Sequence, residues 1–261
     1  MAGIAILTDI HGNLPALEAV LREVADCGAE QIAFGGDLVG YGASPAECVA
    51  LVRNLGGHCV LGNHDAMTME VHDRGIEHVP ATWKHNPVWA GVIHAVKHLS
   101  EEDLKWLWDL PWFLRMQGGV IAHASLSDPN SWQYLSDQAA AVPTLNVLKE
   151  KRVLGGIGFF GHTHQFRVFS EEETADAKVA ERLDEDRYYF PEGCVSAVTI
   201  ASVGQPRDPG DYRACWAIWD PEDRVVTFKR TDYPAILAAR NILDAGLPPE
   251  NAARLLRGAD L

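Results

Sequence analysis

The chain has 261 residues, of which 47% are apolar and 22% are charged, and its formal net charge is -14. This length and composition are typical of a globular protein with a substantial core. The negative charge argues against binding to polymeric nucleic acid, because an acidic surface repels the phosphate backbone. A small anionic substrate stays open, since a bound metal ion can locally invert the field.

The cysteine content and the pattern of apolar residues predict the cellular compartment of the protein. Five cysteines are scattered along the chain, and none of them forms a C-x-x-C pair. This usage predicts no disulfide framework and fits a reducing environment. The N-terminal residues lack the pattern of a signal peptide, and no stretch approaches the roughly 18 apolar residues of a membrane span. We therefore expect a cytoplasmic protein with no membrane partner.

The first 65 residues alternate short apolar segments with amphipathic ones. Asn13 is positioned to cap a first helix and Ser44 to begin a second. Three segments read as buried strands, namely "GIAILTD", "QIAFGGD" and "HCVLGNHD". Strands that alternate with helices in this way indicate an α/β sheet that is parallel at its start.

The middle of the chain changes to a helical pattern. We expect a helical insertion over about residues 67–115, in which "LSEEDLKWLWDLP" begins after a Ser100 cap. The larger apolar residues at its end, Leu107 and Phe113 among them, suit the core of this insertion. A strand "GGVIAHAS", a helix "SDQAAAVPTLNVLKE" and a strand "GGIGFF" follow.

After His164 the pattern is strand-like. The segments "RYYF", "AVTIASVG", "CWAIWD" and "RVVTFKR" predict successive antiparallel strands. The acidic stretch 171–186 predicts a solvated hairpin or short helix. Two C-terminal helices are expected over about residues 233–258. No linker or repeat interrupts the chain, so we predict one domain over residues 1–261.

Each predicted strand of the α/β part ends in residues that bind metal ions. These are Asp9 and His11, then Asp37, then Asn63, His64 and Asp65, then His123, and finally His162 and His164. The carboxyl ends of parallel strands open onto one crevice, so these side chains should meet there. In an extended segment alternate residues face the same way, so each D-x-H or H-x-H pair could bind one ion or two neighbouring ions.

The mixture of imidazole and oxygen donors suits manganese, iron or zinc rather than a thiolate-seeking metal. The donors outnumber those that one tetrahedral ion needs, which favours two ions with a bridging carboxylate such as Asp37. Any one of these motifs could be an ordinary turn at the end of a strand. Five of them in this order are a specific signal.

With these motifs, and with "GDLVGYGASPAEC", "HASLSDPNSWQYL" and "SVGQPRD", the chain resembles the calcineurin-like metallophosphoesterase family, in particular a bacterial subgroup related to diadenosine tetraphosphatases. The resemblance implies a four-layer α/β/β/α sandwich of two mixed sheets flanked by helices. It implies two divalent or trivalent ions, manganese and/or iron, with zinc, nickel or cobalt as alternatives. By matching positions, one ion would be held by Asp9, His11 and His164, the other by Asn63, His123 and His162, and Asp37 would bridge them.

The resemblance also implies the reaction. A metal-activated hydroxide would attack the phosphorus of a small phosphoester, nucleotide-like substrates included, while His64 would assist the leaving oxygen. Asp65 would either orient His64 or act as a plain turn or cap carboxylate. A phosphodiesterase is the first hypothesis. A phosphomonoesterase or protein phosphatase with the same site, and a non-catalytic scaffold on the same fold, are the alternatives.

Three further residues are candidates for substrate contacts. Asn13 could bind a phosphate, although a helix cap is the competing interpretation. Tyr41 could line the pocket, and Arg207 could reach a phosphate or form a surface ion pair. The subgroup's usual Asn-Pro-Gly-Ser turn is replaced by residues 199–202, which puts any backbone contact of this turn in doubt. The sequence predicts no oligomeric state.

Overall fold

The computed structural model describes residues 3–151, 155–171, 178–208 and 210–257. In these ranges the helices are α1 Leu14–Asp26, α2 Pro45–Asn54, α3 Asn63–Arg74, α4 Pro87–His98, α5 Glu101–Trp108, α6 Gln138–Glu150, α7 Ala235–Asp244 and α8 Pro249–Leu255. The strands are β1 Ile4–Leu7, β2 Gln31–Phe34, β3 His58–Cys59, β4 Phe113–Met116, β5 Gly119–Ala122, β6 Ile157–Phe160, β7 Arg167–Ser170, β8 Glu181–Arg182, β9 Arg187–Tyr189, β10 Ser196–Thr199, β11 Ala214–Asp220 and β12 Val225–Thr231.

The strands form two mixed sheets. The seven-stranded sheet has the order β3-β2-β1-β11-β12-β9-β8, and its first three strands are parallel. The five-stranded sheet has the order β4-β5-β6-β10-β7, with β5, β6 and β10 parallel and an antiparallel strand at each edge. Parallel strands from both sheets therefore present their carboxyl ends to loops that can meet.

Strand β1 shows how the layers form. Ala5 and Leu7 face a core shared with α1, α2, α7 and α8, whereas Ile4 and Ile6 face a core between the two sheets. Successive side chains point to opposite faces of a strand, so an uninterrupted apolar run is needed where both faces are covered. Leu145 of α6 packs on the outer face of the second sheet. The predicted α/β/β/α sandwich is confirmed.

The third predicted strand is shorter than its sequence pattern indicated. β3 holds only two residues, and Asn63 already begins α3, with Gly62 at the N-cap position. The "GNHD" motif therefore lies on the first turn of a helix rather than at the end of a strand. A short apolar run such as "HCVL" does not by itself distinguish the two.

The insertion predicted for residues 67–115 also has different bounds. Its helices run from Asn63 to Trp108, and Phe113 begins the edge strand β4. Leu107 is buried as expected, but Phe113 is 46% exposed, so the prediction that it fills the core is wrong. Successive side chains of a strand point to opposite faces, and Phe113 lies on the exposed face of β4.

The antiparallel series after His164 needs one correction. β9, β11 and β12 pair antiparallel as predicted, but β10 leaves this series and pairs parallel with β6 in the other sheet. β7 was not predicted. Within the acidic stretch, β8 forms a hairpin with β9, while residues 172–177 lie outside the described residues.

The helix starts follow their capping residues in two of three cases. The Asn13 side chain accepts a hydrogen bond from Ala16 N at the start of α1, and Ser100 forms a reciprocal capping box with Asp103 at the start of α5. Ser44 precedes α2 but makes no side-chain cap bond. The fixed φ of Pro45 suits the first turn of a helix and is enough to begin α2.

All five cysteines are free, and only Cys27 is exposed. Among the described helices, none is both long enough and apolar enough to cross a lipid bilayer.

Gly91 lets α4 pack directly on the loop that follows β2. It is buried within the helix, and a Cβ added there would overlap the backbone of Tyr41. Replacing an exposed helical glycine by alanine gains roughly 1 kcal/mol of stability. At Gly91 the same replacement should instead lower the stability, because α4 would have to move away from the loop.

We predict that Gly91→Ala lowers the free energy of unfolding by about 1–3 kcal/mol, the usual cost of overpacking. Urea denaturation of the variant measures this change. Lys97→Ala, at an exposed position of the same helix, should change stability by less than about 0.5 kcal/mol. An equal or greater stability of Gly91→Ala would contradict the close approach.

Candidate metal centre

The loops after the parallel strands of both sheets meet in one buried crevice. Asp9 N donates to Gly36 O at 3.0 Å, which joins the loops after β1 and β2. His162 N donates to the Asp9 carboxylate at 3.0 Å, and the His123 ring bonds to Gly35 O at 2.7 Å. These bonds join the two sheets at their carboxyl ends. All seven predicted metal ligands lie in this crevice.

The first group of ligands consists of Asp9, His11 and His164. Their donor atoms lie within 4.8 Å of one another, and all three side chains are buried. His164 Nε2 is 3.1 Å from Asp9 Oδ1 and 3.3 Å from His11 Nε2. Three donors therefore converge on one point, as a metal ion requires.

The second group consists of Asp37, His123 and His162, again within 4.8 Å of one another. Asn63 belongs beside it, because its Oδ1 is 3.0 Å from His123 Nε2. Asp37 Oδ2 lies 3.4 Å from His123 Nε2 and 3.6 Å from His11 Nε2 of the first group. This carboxylate is thus placed between the two groups.

Each of the four histidines among the predicted ligands is bonded to a backbone carbonyl. The pairs are His11 Nδ1 with Val39 O at 3.0 Å, His123 Nδ1 with Gly35 O at 2.7 Å, His164 Nδ1 with Gln205 O at 2.7 Å, and His162 Nε2 with Trp132 O at 2.9 Å. A carbonyl oxygen only accepts hydrogen bonds, so the ring nitrogen in each pair must carry the proton. The other nitrogen of each neutral ring keeps its lone pair, which is the arrangement of a histidine prepared to bind a metal.

This arrangement brings acceptors face to face. His11 Nε2 and His164 Nε2 are 3.3 Å apart, both carry lone pairs in the neutral tautomers, and the Asp9 carboxylate adjoins them. Buried acceptors without a donor between them are unfavourable. A proton on one nitrogen would relieve one contact, whereas a cation among the three would satisfy all of them. The donor set therefore fits a metal ion.

The electrostatics of the crevice keep its carboxylates ionised and two of its imidazoles neutral. Burial alone would raise the pKa of Asp9 and of Asp37, but the neighbouring histidines hold both below their usual range, so both are ionised. Burial lowers the pKa of His11, and that of His162 to about 4, which keeps both neutral. Burial opposes a charge on His123 too, but Asp37 outweighs it and raises the pKa of His123 to about 9. The field of Asp37 thus favours positive charge at this point.

Backbone strain is concentrated at the ligands. In the described residues, eight non-glycine residues have a positive φ, and five of them are the predicted ligands Asp9, His11, Asp37, His162 and His164, with φ between 52° and 63°. The prediction that the D-x-H and H-x-H pairs lie in extended segments is therefore wrong. They lie in tight left-handed turns, which cost energy and occur at functional sites. These turns place His162 in one group and His164 in the other.

His64 lies at the edge of the first group. Its ring centroid is 4.7 Å from that of His11 and 4.6 Å from that of Tyr41, and a ring nitrogen lies within 4.8 Å of the donors of His11 and Asp37. Its Nδ1 is buried with no hydrogen-bond partner in the described part of the chain. Burial lowers its pKa. His64 is thus a neutral imidazole with unused hydrogen-bonding capacity at the crevice.

Asp65 does not orient His64 in this structure. Its carboxylate accepts backbone N–H bonds from Asp37 at 2.9 Å, Leu38 at 3.0 Å, Val39 at 3.3 Å and Gly62 at 3.0 Å. Burial and the adjacent Asp37 raise the pKa of Asp65 to about 7, although the backbone donors favour its ionised form. Of the two sequence interpretations, the geometry matches the cap carboxylate, which here also braces the Asp37 loop.

The three candidates for substrate contacts differ in availability. Asn13 is fully engaged, because its oxygen caps α1 and its amide donates to Gly204 O at 2.9 Å, so it is not available to a phosphate. Tyr41 is mostly buried, has a φ of 54° and packs on the rings of His11 and His64. Among the described residues, the buried Nε of Arg207 has no hydrogen-bond partner, and its Nη2 donates to Gln205 Oε1 at 3.4 Å. Tyr41 and Arg207 remain candidates.

The altered turn at residues 199–202 still braces the crevice. Ser202 Oγ donates to Asp9 O at 2.7 Å, and Gly204 N donates to the same oxygen at 3.0 Å. Gln205 then supplies the carbonyl for His164. The sequence analysis assigned no role to Ser202 or Gln205, and the "SVGQPRD" motif that contains them was the only sequence feature that could have indicated one.

Comparisons with known proteins agree with this geometry. The family model for the calcineurin-like phosphoesterase matches residues 3–166. An uncharacterized protein of Methanocaldococcus jannaschii, MJ0912, is 33% identical over 98% of both chains. The crystal structure of a metallophosphoesterase from Sphaerobacter thermophilus is 30% identical over 99% of both chains, with a TM-score of 0.77.

A third relative is a symmetrical bis(5'-nucleosyl)-tetraphosphatase of Psychromonas ingrahamii, which is 31% identical over 150 residues. That match spans 55% of this chain and about half (51%) of the relative. The family model, by contrast, covers more than half of the 261 residues and includes all seven predicted ligands. The chain therefore belongs to the calcineurin-like phosphoesterase family and is a phosphoric ester hydrolase by class.

Proposed function

We propose that this protein is a dinuclear-metal phosphodiesterase that hydrolyses small phosphoesters. The observation that carries the proposal is the close approach of His11 Nε2 and His164 Nε2, 3.3 Å apart beside the Asp9 carboxylate, on two rings whose Nδ1 atoms are bonded to backbone carbonyls. A second such group shares Asp37 with the first. Two adjoining sets of donors that require positive charge support two ions better than one.

The ions would be held by the residues that the two groups contain. Asp9, His11 and His164 would hold one, Asn63, His123 and His162 the other, and Asp37 would bridge them. Imidazole together with carboxylate and amide oxygen suits manganese or iron, and also zinc, nickel or cobalt. Bound at these positions, such ions supply Lewis acidity toward the phosphoryl group and lower the pKa of water.

We assign to His64 the role of assisting the leaving group. Its neutral ring has an N–H to donate, and its Nδ1 has no protein partner among the described residues. Donation of a hydrogen bond from this N–H to the departing oxygen offsets the negative charge that develops as the P–O bond breaks, and the ring itself stays neutral. Arg207 is the candidate for a second phosphate contact, because its buried Nε has no hydrogen-bond partner among the described residues.

The relatives support a nucleotide-like phosphoester as the substrate type, since the Psychromonas relative bears the name of a bis(5'-nucleosyl)-tetraphosphatase. A phosphomonoesterase would use the same groups, and substrate comparison separates the two. A non-catalytic scaffold would be expected to lack metal ligands or the histidine that assists the leaving group, whereas every such position is filled here.

We predict that removal of metal with a chelator abolishes hydrolysis of bis-p-nitrophenyl phosphate, and that manganese restores it. Metal binding only to the folded state should also raise the melting temperature, because a ligand at 100 times its Kd stabilises by about 2.7 kcal/mol. Two ions per chain should be found by elemental analysis.

The comparison of bis-p-nitrophenyl phosphate with p-nitrophenyl phosphate tests the preference for diesters. A faster rate on the monoester would contradict the phosphodiesterase and favour the phosphomonoesterase. Absence of chelator-sensitive release from both esters with manganese, iron, zinc, nickel and cobalt would sink the proposal, and substoichiometric metal would then favour a scaffold.

We predict that His64→Ala retains two metal ions and their thermal stabilisation but loses about 10²–10³-fold in kcat on esters with poor leaving groups, the usual contribution of a hydrogen-bond donor aimed at developing charge. The loss should be smaller with p-nitrophenolate, which departs without help. His98→Ala, an exposed histidine of α4, serves as the control and should not change either rate. Full activity of His64→Ala on an alkyl ester would remove His64 from this role.

We predict that Asp65→Asn acts on stability instead, because the amide can no longer accept all four backbone N–H bonds. The free energy of unfolding should fall by about 1–3 kcal/mol, the cost of leaving a buried donor unpaired. The dependence of the rate on leaving-group pKa should stay that of the wild type. A dependence like that of His64→Ala would instead show that Asp65 orients His64, and Asp73→Asn on the exposed side of α3 is the control.

A further inference from the structure

Three aromatic side chains border the second ligand group, and no role has been assigned to them. Trp112 lies between α5 and β4, whereas Trp132 and Tyr134 lie in the loop between β5 and α6. We call these three residues the aromatic platform. Two distant segments of the chain thus bring their aromatic residues to the same edge of the crevice.

Ring contacts join the platform to the predicted metal ligands. Tyr134 stacks on His162 with ring centroids 3.9 Å apart and planes 26° apart. Trp132 lies edge-on to His123 at 5.8 Å, and its carbonyl holds His162. Trp112 packs on Trp132 at 5.2 Å and extends the surface outward. The platform is therefore continuous with the crevice.

The exposure of these rings leaves aromatic surface free to contact a ligand. Tyr134 is 49% exposed, Trp112 is 37% exposed and Trp132 is half-buried. Trp83 and Trp108 are exposed to a similar or greater degree, so exposure alone does not mark a binding surface. The platform differs from them in its ring contacts with the predicted metal ligands.

Trp132 is also held in a strained conformation. Its φ is 51°, in the left-handed region that a bulky residue avoids. The same conformation presents its carbonyl to His162 and its ring to His123. Strain of this kind persists where the surrounding structure imposes it, and it is found at ligand-binding sites.

We propose that the aromatic platform binds the nucleobase of a nucleotide substrate by stacking. This inference rests on the proposed function, because the phosphate of that nucleotide would lie among the metal ligands. One sugar separates the base of a nucleotide from its 5'-phosphate, and Tyr134 is in ring contact with His162. Stacking needs no positive charge, so it suits a chain with a net charge of -14, and it accepts any base because every base has a π face.

Equilibrium binding of two small probes to the manganese-loaded protein tests the platform directly. AMP and ribose 5-phosphate carry the same sugar and phosphate and differ in the base. We expect AMP to bind roughly 5- to 100-fold more tightly, the range that one stacked base gives in alanine substitutions. Isothermal titration calorimetry measures both affinities without any turnover.

Two variants and one control locate the effect. Trp112→Ala and Tyr134→Ala should each lower the ratio of AMP to ribose 5-phosphate affinity severalfold toward one, while the affinity for ribose 5-phosphate itself stays within about 2-fold. Both side chains are exposed, so melting temperatures should stay near the wild-type value. Trp83→Ala removes a tryptophan of similar exposure, 44%, which stacks on Trp89 in the helical insertion, and it should leave the ratio unchanged.

The outcomes separate this inference from the proposed function. Equal affinities for AMP and ribose 5-phosphate, or a preference for AMP that survives both platform variants, would overturn the platform even if the protein hydrolyses phosphodiesters. If the protein hydrolyses neither nitrophenyl ester, the proposed function fails, and the affinity ratio still decides whether the platform binds a base.

Discussion

The loops of this protein hold together a buried cluster of hydrogen-bond acceptors that a positive charge would stabilise. The carboxylates of Asp9 and Asp37 are ionised and almost inaccessible to water. The imidazoles of His11, His123 and His164 each donate one N–H to a backbone carbonyl and turn the other ring nitrogen inward. Such a cluster would be unfavourable in an ordinary protein interior. It becomes favourable as a cation site, and the surrounding loops are built to keep the acceptors together.

The loops are braced by side chains outside the predicted set of metal ligands. Asp65 ties Gly62, at the start of α3, to the backbone of the Asp37 loop. Ser202 ties the segment after β10 to Asp9. These bonds hold the crevice in left-handed turns that the backbone would not adopt alone. The two-sheet sandwich makes this possible, because parallel strands from both sheets end at the same edge. The two adjoining groups of ligand atoms and their aromatic border follow from that geometry.

The sequence predicted which side chains gather in the crevice better than it predicted their backbone conformation. Apolar runs followed by Asp9, His123 and His162 located the ends of three strands, and the sandwich was expected from a family resemblance. The same reasoning placed "GNHD" at the end of a strand, whereas Asn63 begins a helix. It also expected the D-x-H and H-x-H pairs to lie in extended segments, whereas the chain makes tight turns there. Short apolar runs and isolated histidines carry no information on φ, so these errors share one cause.

The donors, their order along the chain and the apolar segments that precede them can be read from the sequence, and the family resemblance already implied that His162 and His164 belong to different groups. The nitrogen that each ring offers to a metal ion was set by the packed fold. That choice rests on the carbonyls of Gly35, Val39, Trp132 and Gln205. Every residue has a carbonyl, so no residue type in the sequence marks one that will hold an imidazole. Its position is set when two sheets pack and bring distant loops together.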